Sequence, residues 1–146
     1  MNKAFLREPD AVDERCPRCG APGQAVPRAL VAAQVRQPDE LRIADVANFC
    51  ATPTCPVVYF DGFERIVTVD ALARPIYPKD PNAPICACFG LTRDDIELDL
   101  AEGVVTRTKA CVLRAQSPEA QCAERAPNGR SCVAEVQRLY RRLKER

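Results

Sequence analysis

Apolar residues along this chain first cluster in short β-rich runs and later recur at helical spacing, and a run of prolines separates the two patterns. Val57-Val58-Tyr59-Phe60 is an unbroken apolar run that ends at the turn signal Asp61-Gly62, and Arg65-Ile66-Val67-Thr68-Val69 is a second β-rich run. Together they predict a small antiparallel sheet. Earlier in the chain, Leu30, Val31 and Val35 share one helical face and Pro27 stands near a first turn, which predicts a short helix from Pro27 to Val35. Pro75, Pro78, Pro81 and Pro84 then make a stiff connection with little helix potential. A domain boundary is expected there, near Pro78.

Beyond the prolines the chain reads as helical. Thr92 is a natural N-cap, Asp94 and Asp95 suit the positive end of a helix dipole, Leu91 and Ile96 occupy hydrophobic-staple positions, and Gly103 is a natural stop. Ile96 and Leu100 fall on one face. A second helix is expected from Val104 or Val105 to Gln116. Ser117-Pro118 begins a loop, and Ala126-Pro127-Asn128-Gly129 is a turn. Ser131 is then in position to cap a last helix carrying Val133, Val136, Leu139, Tyr140 and Leu143, with Cys132 in its first turn. The fold class is therefore α+β, with residues 1–15 a charged tail, 16–78 a β-rich domain and 79–146 a helical domain.

Composition adds a constraint on how so small a chain is held together. Of 146 residues, nine are Cys and thirteen Pro, with no His or Trp. A large aromatic-anchored core is not expected, and bound metals or disulfides are the usual substitute. Residues 1–15 mix charges with short apolar pieces and show no apolar core of a signal peptide, and no run approaches the roughly 18 apolar residues of a membrane span. The expected setting is a reducing cytoplasm, where closely spaced thiols are metal ligands or reactive groups. An enzyme is not expected: there is no histidine for acid–base work, no phosphate or dinucleotide loop, and no nucleophile beside a base.

The cysteines fall into pairs. Cys16-Pro-Arg-Cys19-Gly20 is a zinc-knuckle sequence, and Cys50-Ala-Thr-Pro-Thr-Cys55 follows about thirty residues later, completing the four thiolates of a tetrahedral structural zinc site. The expected β domain is thus zinc-pinned. Cys86-Ala-Cys88 places two sulfurs on one face of extended backbone with Cα atoms roughly 6.6 Å apart, near the upper limit for an unstrained disulfide, so ligation is the better use. Cys122 and Cys132 form the last pair. Cys111 is left over, on a stripe with Val104, Thr108 and Ala115. Two readings stay open for it: a small buried hydrophobe, or a substitute ligand or site for a soft metal such as Cu(I) or Hg(II).

At these residues the chain resembles a known family. Ile85-Cys86-Ala-Cys88-Phe-Gly-Leu91-Thr92, then Cys122, then Pro127-Asn-Gly129-Arg130-Ser131-Cys132, is similar to the [2Fe-2S] region of the N-terminal domain of CopZ-type copper chaperones, and more distantly to bacterioferritin-associated ferredoxin domains. The C-P-x-C near the start, with Asn48-Phe49-Cys50 and Cys55 leading into Val57-Val58-Tyr59-Phe60, resembles that family's zinc-binding portion. The resemblance implies zinc at Cys16, Cys19, Cys50 and Cys55, and a [2Fe-2S] cluster at Cys86, Cys88, Cys122 and Cys132. Where relatives often carry two adjacent cysteines after the Pro-x-Gly turn, this chain has Ser131-Cys132, which points to the second position as ligand.

The implied role is one-electron transfer linked to copper or other soft-metal handling, with a redox or metal-trafficking protein as partner, such as a copper chaperone or transporter. Charge fits such a cofactor. Residues 104–146 hold ten Lys and Arg against four Asp and Glu, whereas residues 1–103 hold eleven against sixteen. A basic last helix can contact nucleic acid, but it can equally offset an anionic cluster, and the second use is the expected one. Two alternatives remain at this stage: an iron–sulfur redox or metal sensor acting through a partner or nucleic acid, and an adaptor in which both sites hold zinc.

Overall fold

A computed structural model of the protein describes residues 14–145, which divide into two compact units between Ala73 and Arg74. The division falls at the N-terminal edge of the proline-rich connection. Most of the charged tail expected over residues 1–15 lies outside the described residues, but Glu14 and Arg15 belong to the fold. Arg15 bridges to Pro22, and the carbonyl of Glu14 accepts the N–H of Gly23 at 3.1 Å.

The first unit is built on a four-stranded antiparallel sheet in sequential order: β1 (Gln24–Pro27), β2 (Val46–Phe49), β3 (Val57–Phe60) and β4 (Ile66–Thr68). The two runs read as strands from the sequence form the β3–β4 hairpin, and β1 and β2 extend it. All four residues of β3 are buried, which is why that segment is a continuous apolar run and not an alternating one. Asp61 organises the hairpin turn. Its carboxylate accepts the N–H groups of Phe63 and Arg65 through Oδ1, and those of Ala44 and the Arg65 guanidinium through Oδ2, at 2.9 to 3.1 Å.

Between β1 and β2 the chain crosses as α1 (Arg28–Gln34), with Pro27 at its N-cap and Leu30, Val31 and Gln34 buried. Arg28 anchors the return, its N–H donating to Asp45 and its guanidinium to the carbonyls of Leu41 and Ile43. Across β2 and β3 the rings of Phe49 and Tyr59 meet with centroids 5.6 Å apart.

The second unit is helical: α2 (Arg93–Glu102), α3 (Thr106–Ala115), α4 (Cys122–Arg125) and α5 (Val133–Lys144). The chain is thus α+β overall. Local chemistry sets the ends of α2. Thr92 and Asp95 form a reciprocal capping box, and Gly103 closes the helix in the left-handed region at φ 71°. On α5, Val136, Leu139 and Leu143 are buried at helical spacing and pack into a core with Ile85, Leu91, Ile96 and Ala115. Two details differ from the sequence reading. Cys132 is the N-cap of α5 in place of Ser131, whose hydroxyl still accepts the N–H of Val133 at 3.3 Å, and the segment expected as loop at Cys122 forms the single turn α4.

Candidate metal centres

Two tight turns present sulfur in the first unit. In Cys16–Gly20 the N–H of Gly20 donates to the Cys16 carbonyl at 2.9 Å, and the Cys16 N–H donates to Ala21 at the same distance. Gly20 takes φ 79°, where a side chain would be strained. The second turn is held by Cys50, whose N–H donates to Val58 at 2.8 Å, and by Cys55, whose N–H donates to Thr52 at 3.2 Å.

The sulfurs of Cys16 and Cys55 are 3.8 Å apart, those of Cys19 and Cys50 are 3.6 Å apart, and all four lie within 4.8 Å of one another. Thiolates at about 2.3 Å from a tetrahedral zinc stand about 3.8 Å apart, so the donor set fits that ion. Cys16, Cys50 and Cys55 are buried and Cys19 is exposed. Contact with the Thr52 hydroxyl and then the Ala21 N–H lowers Cys19 to about 6. Burial pushes the Cys55 thiol up to about 11.

The second unit gathers five thiols. The Cys86–Cys88 loop is folded back onto Leu91, whose carbonyl accepts the N–H of Ile85 at 2.7 Å, while the Gly90 N–H donates to Cys86 at 2.7 Å. Cys111 lies on the buried face of α3, and Cys132 starts α5. Cys86, Cys111 and Cys132 are buried, and their sulfurs lie within 4.8 Å of one another. Contacts from the Cys111 and Cys132 thiols, against the opposing effect of burial, hold Cys86 far below the ordinary thiol range. Contacts with Cys111 and Cys86, and burial, raise Cys132.

Cys88 and Cys122 are half-buried and neighbour each other. The Cys88 sulfur accepts the N–H of Gln121 at 3.3 Å, and the N–H of Cys132 reaches the sulfur of Cys122, whose own thiol is raised chiefly by burial. The four residues that the resemblance implies thus lie as two pairs, Cys86 with Cys132 and Cys88 with Cys122. Cys111, left over in the sequence, sits against the first pair. Its stripe with Thr108 and Ala115, both buried, was the signal that placed it on the core face.

A buried acid was not foreseen. Asp99 of α2 is fully buried and accepts hydrogen bonds from the backbones of Arg107 and Thr108 at the start of α3, and from both side chains. Burial raises its carboxyl, but these hydrogen bonds outweigh burial and hold it below the usual carboxylate range.

The four-thiol arrangement of the first unit is that of a small zinc-binding domain, and residues 13–73 match the zf_CopZ family, described as a zinc binding domain. Zinc binding is therefore supported both by the match and by the geometry of Cys16, Cys19, Cys50 and Cys55. Among solved structures the chain is similar to the X-ray structure of the Archaeoglobus fulgidus CopZ N-terminal domain, with 26% identity and a TM-score of 0.67, covering 86% of this chain and 97% of that one. No curated protein matches the sequence. No helix among the described residues is long and apolar enough to cross a membrane.

Proposed function

We propose that this protein is a zinc- and iron–sulfur-binding electron carrier that serves the handling of copper or a related soft metal in a reducing cytoplasm. Cys16, Cys19, Cys50 and Cys55 hold zinc, which has no redox chemistry and fixes the two turns. Cys86, Cys88, Cys122 and Cys132 hold a [2Fe-2S] cluster. When bound, that group supplies one-electron exchange between diferric and mixed-valence states.

The observation that supports this reading is the convergence of five thiols in the second unit of a chain whose first unit matches a CopZ-type zinc-binding domain. The chain's own residues suit the task. Cys86 and Cys132 are set in an apolar core that excludes water, whereas Cys88 and Cys122 stay half-buried, within reach of a docked redox partner. Backbone N–H groups of Gln121 and Cys132 donate to the Cys88 and Cys122 sulfurs, favouring additional negative charge there. The likeness to the CopZ N-terminal domain carries the copper link. A one-electron carrier suits the reduction of Cu(II) to Cu(I), the softer ion that thiolate carriers prefer.

Anaerobic purification of the full chain, with iron, sulfide and zinc analysis and a visible spectrum, tests the proposal. About two irons and two acid-labile sulfides per chain, with a paramagnetic signal on one-electron reduction, are expected. A colourless protein holding only zinc would replace the electron carrier with a structural adaptor.

A further inference from the structure

The basic last helix carries most of its charge at the end away from the thiols. Cys132 is the N-cap of α5, and Arg141, Arg142 and Lys144 form its last turn. At a rise of 1.5 Å per residue these three stand roughly 14 to 18 Å along the axis from Cys132, beyond a Debye length of about 8 to 10 Å. Cys132 is buried, whereas the three cations are exposed. Positive charge near the thiols comes instead from Arg114 of α3, which lines a cleft with Cys111. Among the described residues no carboxylate pairs with Arg141, Arg142 or Lys144, while Arg138 is paired with Glu135 at 2.7 Å. Val136, Leu139 and Leu143 hold the other side of α5 in the core. At about 100° per residue, Arg138, Arg141, Arg142 and Lys144 fall on the side opposite to them.

The chemistry of that face selects its occupant. No large apolar residue of α5 is exposed, so the face lacks both the apolar centre of a protein interface and the apolar residues that seat an amphipathic helix in a lipid surface. Charge complementarity is what it offers. Three of the four cations are arginines, whose guanidinium fork matches phosphate oxygens. Tyr140, the one aromatic ring of the helix, packs against the core, so unpaired bases would find no stacking platform. A duplex presents one negative charge per about 1.7 Å of its axis, and the major groove of B-DNA, about 12 Å wide, admits a helix where that of A-form RNA is too narrow.

We infer that the exposed face of α5 is a docking surface for duplex DNA, which Arg138, Arg141, Arg142 and Lys144 hold by its phosphates without regard to sequence. Phosphate contacts fix position and carry no base information, so binding is set by salt and not by the order of the bases. The inference goes beyond the electron-carrier reading, uses none of the thiols and does not require the cluster.

The test is titration of a fluorescein-labelled duplex DNA of about 20 base pairs with the full chain, followed by fluorescence anisotropy from about 50 to 200 mM salt. The logarithm of the binding constant is expected to fall with that of the salt concentration at a slope of about −3 to −4, as four phosphate contacts require, and to be the same for duplexes of different sequence. Arg141→Gln together with Arg142→Gln, checked for unchanged circular dichroism, is expected to flatten the slope by about 2 and to weaken binding at least about 10-fold at the lowest salt. Arg74→Gln together with Lys109→Gln removes the same net charge from exposed positions outside α5 and is expected to leave binding within about threefold. The parent's salt slope needs no variant. No duplex binding at the lowest salt, or equal losses in the two double variants, overturns the inference. So does equal or tighter binding of polyglutamate, of single-stranded DNA or of duplex RNA, since each assigns the face to another partner. Iron content of the same samples reports on the electron carrier separately, and an iron-free chain that binds duplex DNA removes that reading alone.

Discussion

The carboxylate of Asp99 caps a helix to which it does not belong: its Oδ2 accepts both the backbone N–H and the hydroxyl of Thr108, each at 2.8 Å. The N-cap residue of α3 is Val105, which has no side-chain acceptor, and the first turn of a helix leaves N–H groups unpaired. Asp99, one helix earlier, takes that role for Arg107 and Thr108 while remaining fully buried. Asp99→Ala is expected to cost roughly 2–4 kcal/mol, since it removes the cap and strands buried donors. Thr108→Val retains the backbone bond and loses only the hydroxyl, a cost of about 1 kcal/mol. Urea unfolding monitored by circular dichroism checks the order. Equal effects of the two substitutions would show that the cap is not the main contribution.

The same acid sets a pH dependence, together with Asp61. Burial raises both carboxyls, yet hydrogen bonds hold both below the usual carboxylate range: for Asp99 from Thr108 and Arg107, and for Asp61 from Ala44, Phe63 and Arg65. A folded-state value below the unfolded one means that the unfolded chain binds more protons, so stability rises with pH across that interval. The contribution is complete above the unfolded carboxylate range near 4 and is lost as pH falls through the lower folded values. Asp99→Asn and Asp61→Asn are each expected to be less stable than the parent at pH 6 and to lose less on going to pH 3. Unfolding free energies at the two pH values decide it, and a parallel loss in parent and variants would contradict the assignment.

How much of this was legible in the sequence depends on how local each feature is. The ends of α2 could be read because Thr92, Asp95 and Gly103 act within one turn of the chain they terminate. Strands β1 and β2 could not, because Gln24–Pro27 and Val46–Phe49 have no continuous pattern of their own and are made strands by pairing with each other and with β3. Val46 is exposed and Asn48 is buried, the reverse of what their chemistry signals alone. The four cysteines of the first unit stood out because two short spacings describe two turns. Cys111 had no spacing partner, and only the packing of α3 brings it to Cys86 and Cys132. Asp99 was hidden for the same reason, since its partners lie on the next helix.

Close approach of backbone to side chain at Gly23 gives a sharp steric test in the first unit. A Cβ placed there would lie 2.4 Å from Cβ of Asn48 and 2.7 Å from its Cγ. The Cβ is fixed to the β2 backbone and cannot swing away, and the rest of the Asn48 side chain is held by a hydrogen bond to Glu14. Gly23→Ala is therefore expected to force β1 from β2 and cost roughly 1–3 kcal/mol, the range seen for overpacking. Gly20→Ala is a control of a different kind, with open space around the added carbon and strain only from φ 79°. It is expected to cost about 1 kcal/mol. Thermal melts of the two variants check the order, and a Gly23→Ala protein as stable as the parent would contradict the packing.

Removal of zinc from the first unit should be felt in its core, because three of the four sulfurs are part of that core. Cys16, Cys50 and Cys55 are buried in one cluster with Val57 and Phe60, at the start and end of the inner strand β3. Four thiolates gathered within 4.8 Å repel one another unless a cation sits among them, and protonated thiols leave the two turns joined only by weak contacts. Chelation is therefore expected to lower the unfolding temperature of the unit by at least about 10 °C, with full recovery on adding zinc back and none on adding magnesium. Hydrogen exchange should show the loss first at the N–H groups of Cys50 and Cys55, which hold the second turn through Val58 and Thr52. Cys50→Ser should mimic chelation, because it replaces a buried soft donor with a poor ligand. Unchanged melting after verified removal of the ion would mean that the sheet holds the turns without it, and zinc would then have no structural part in this unit.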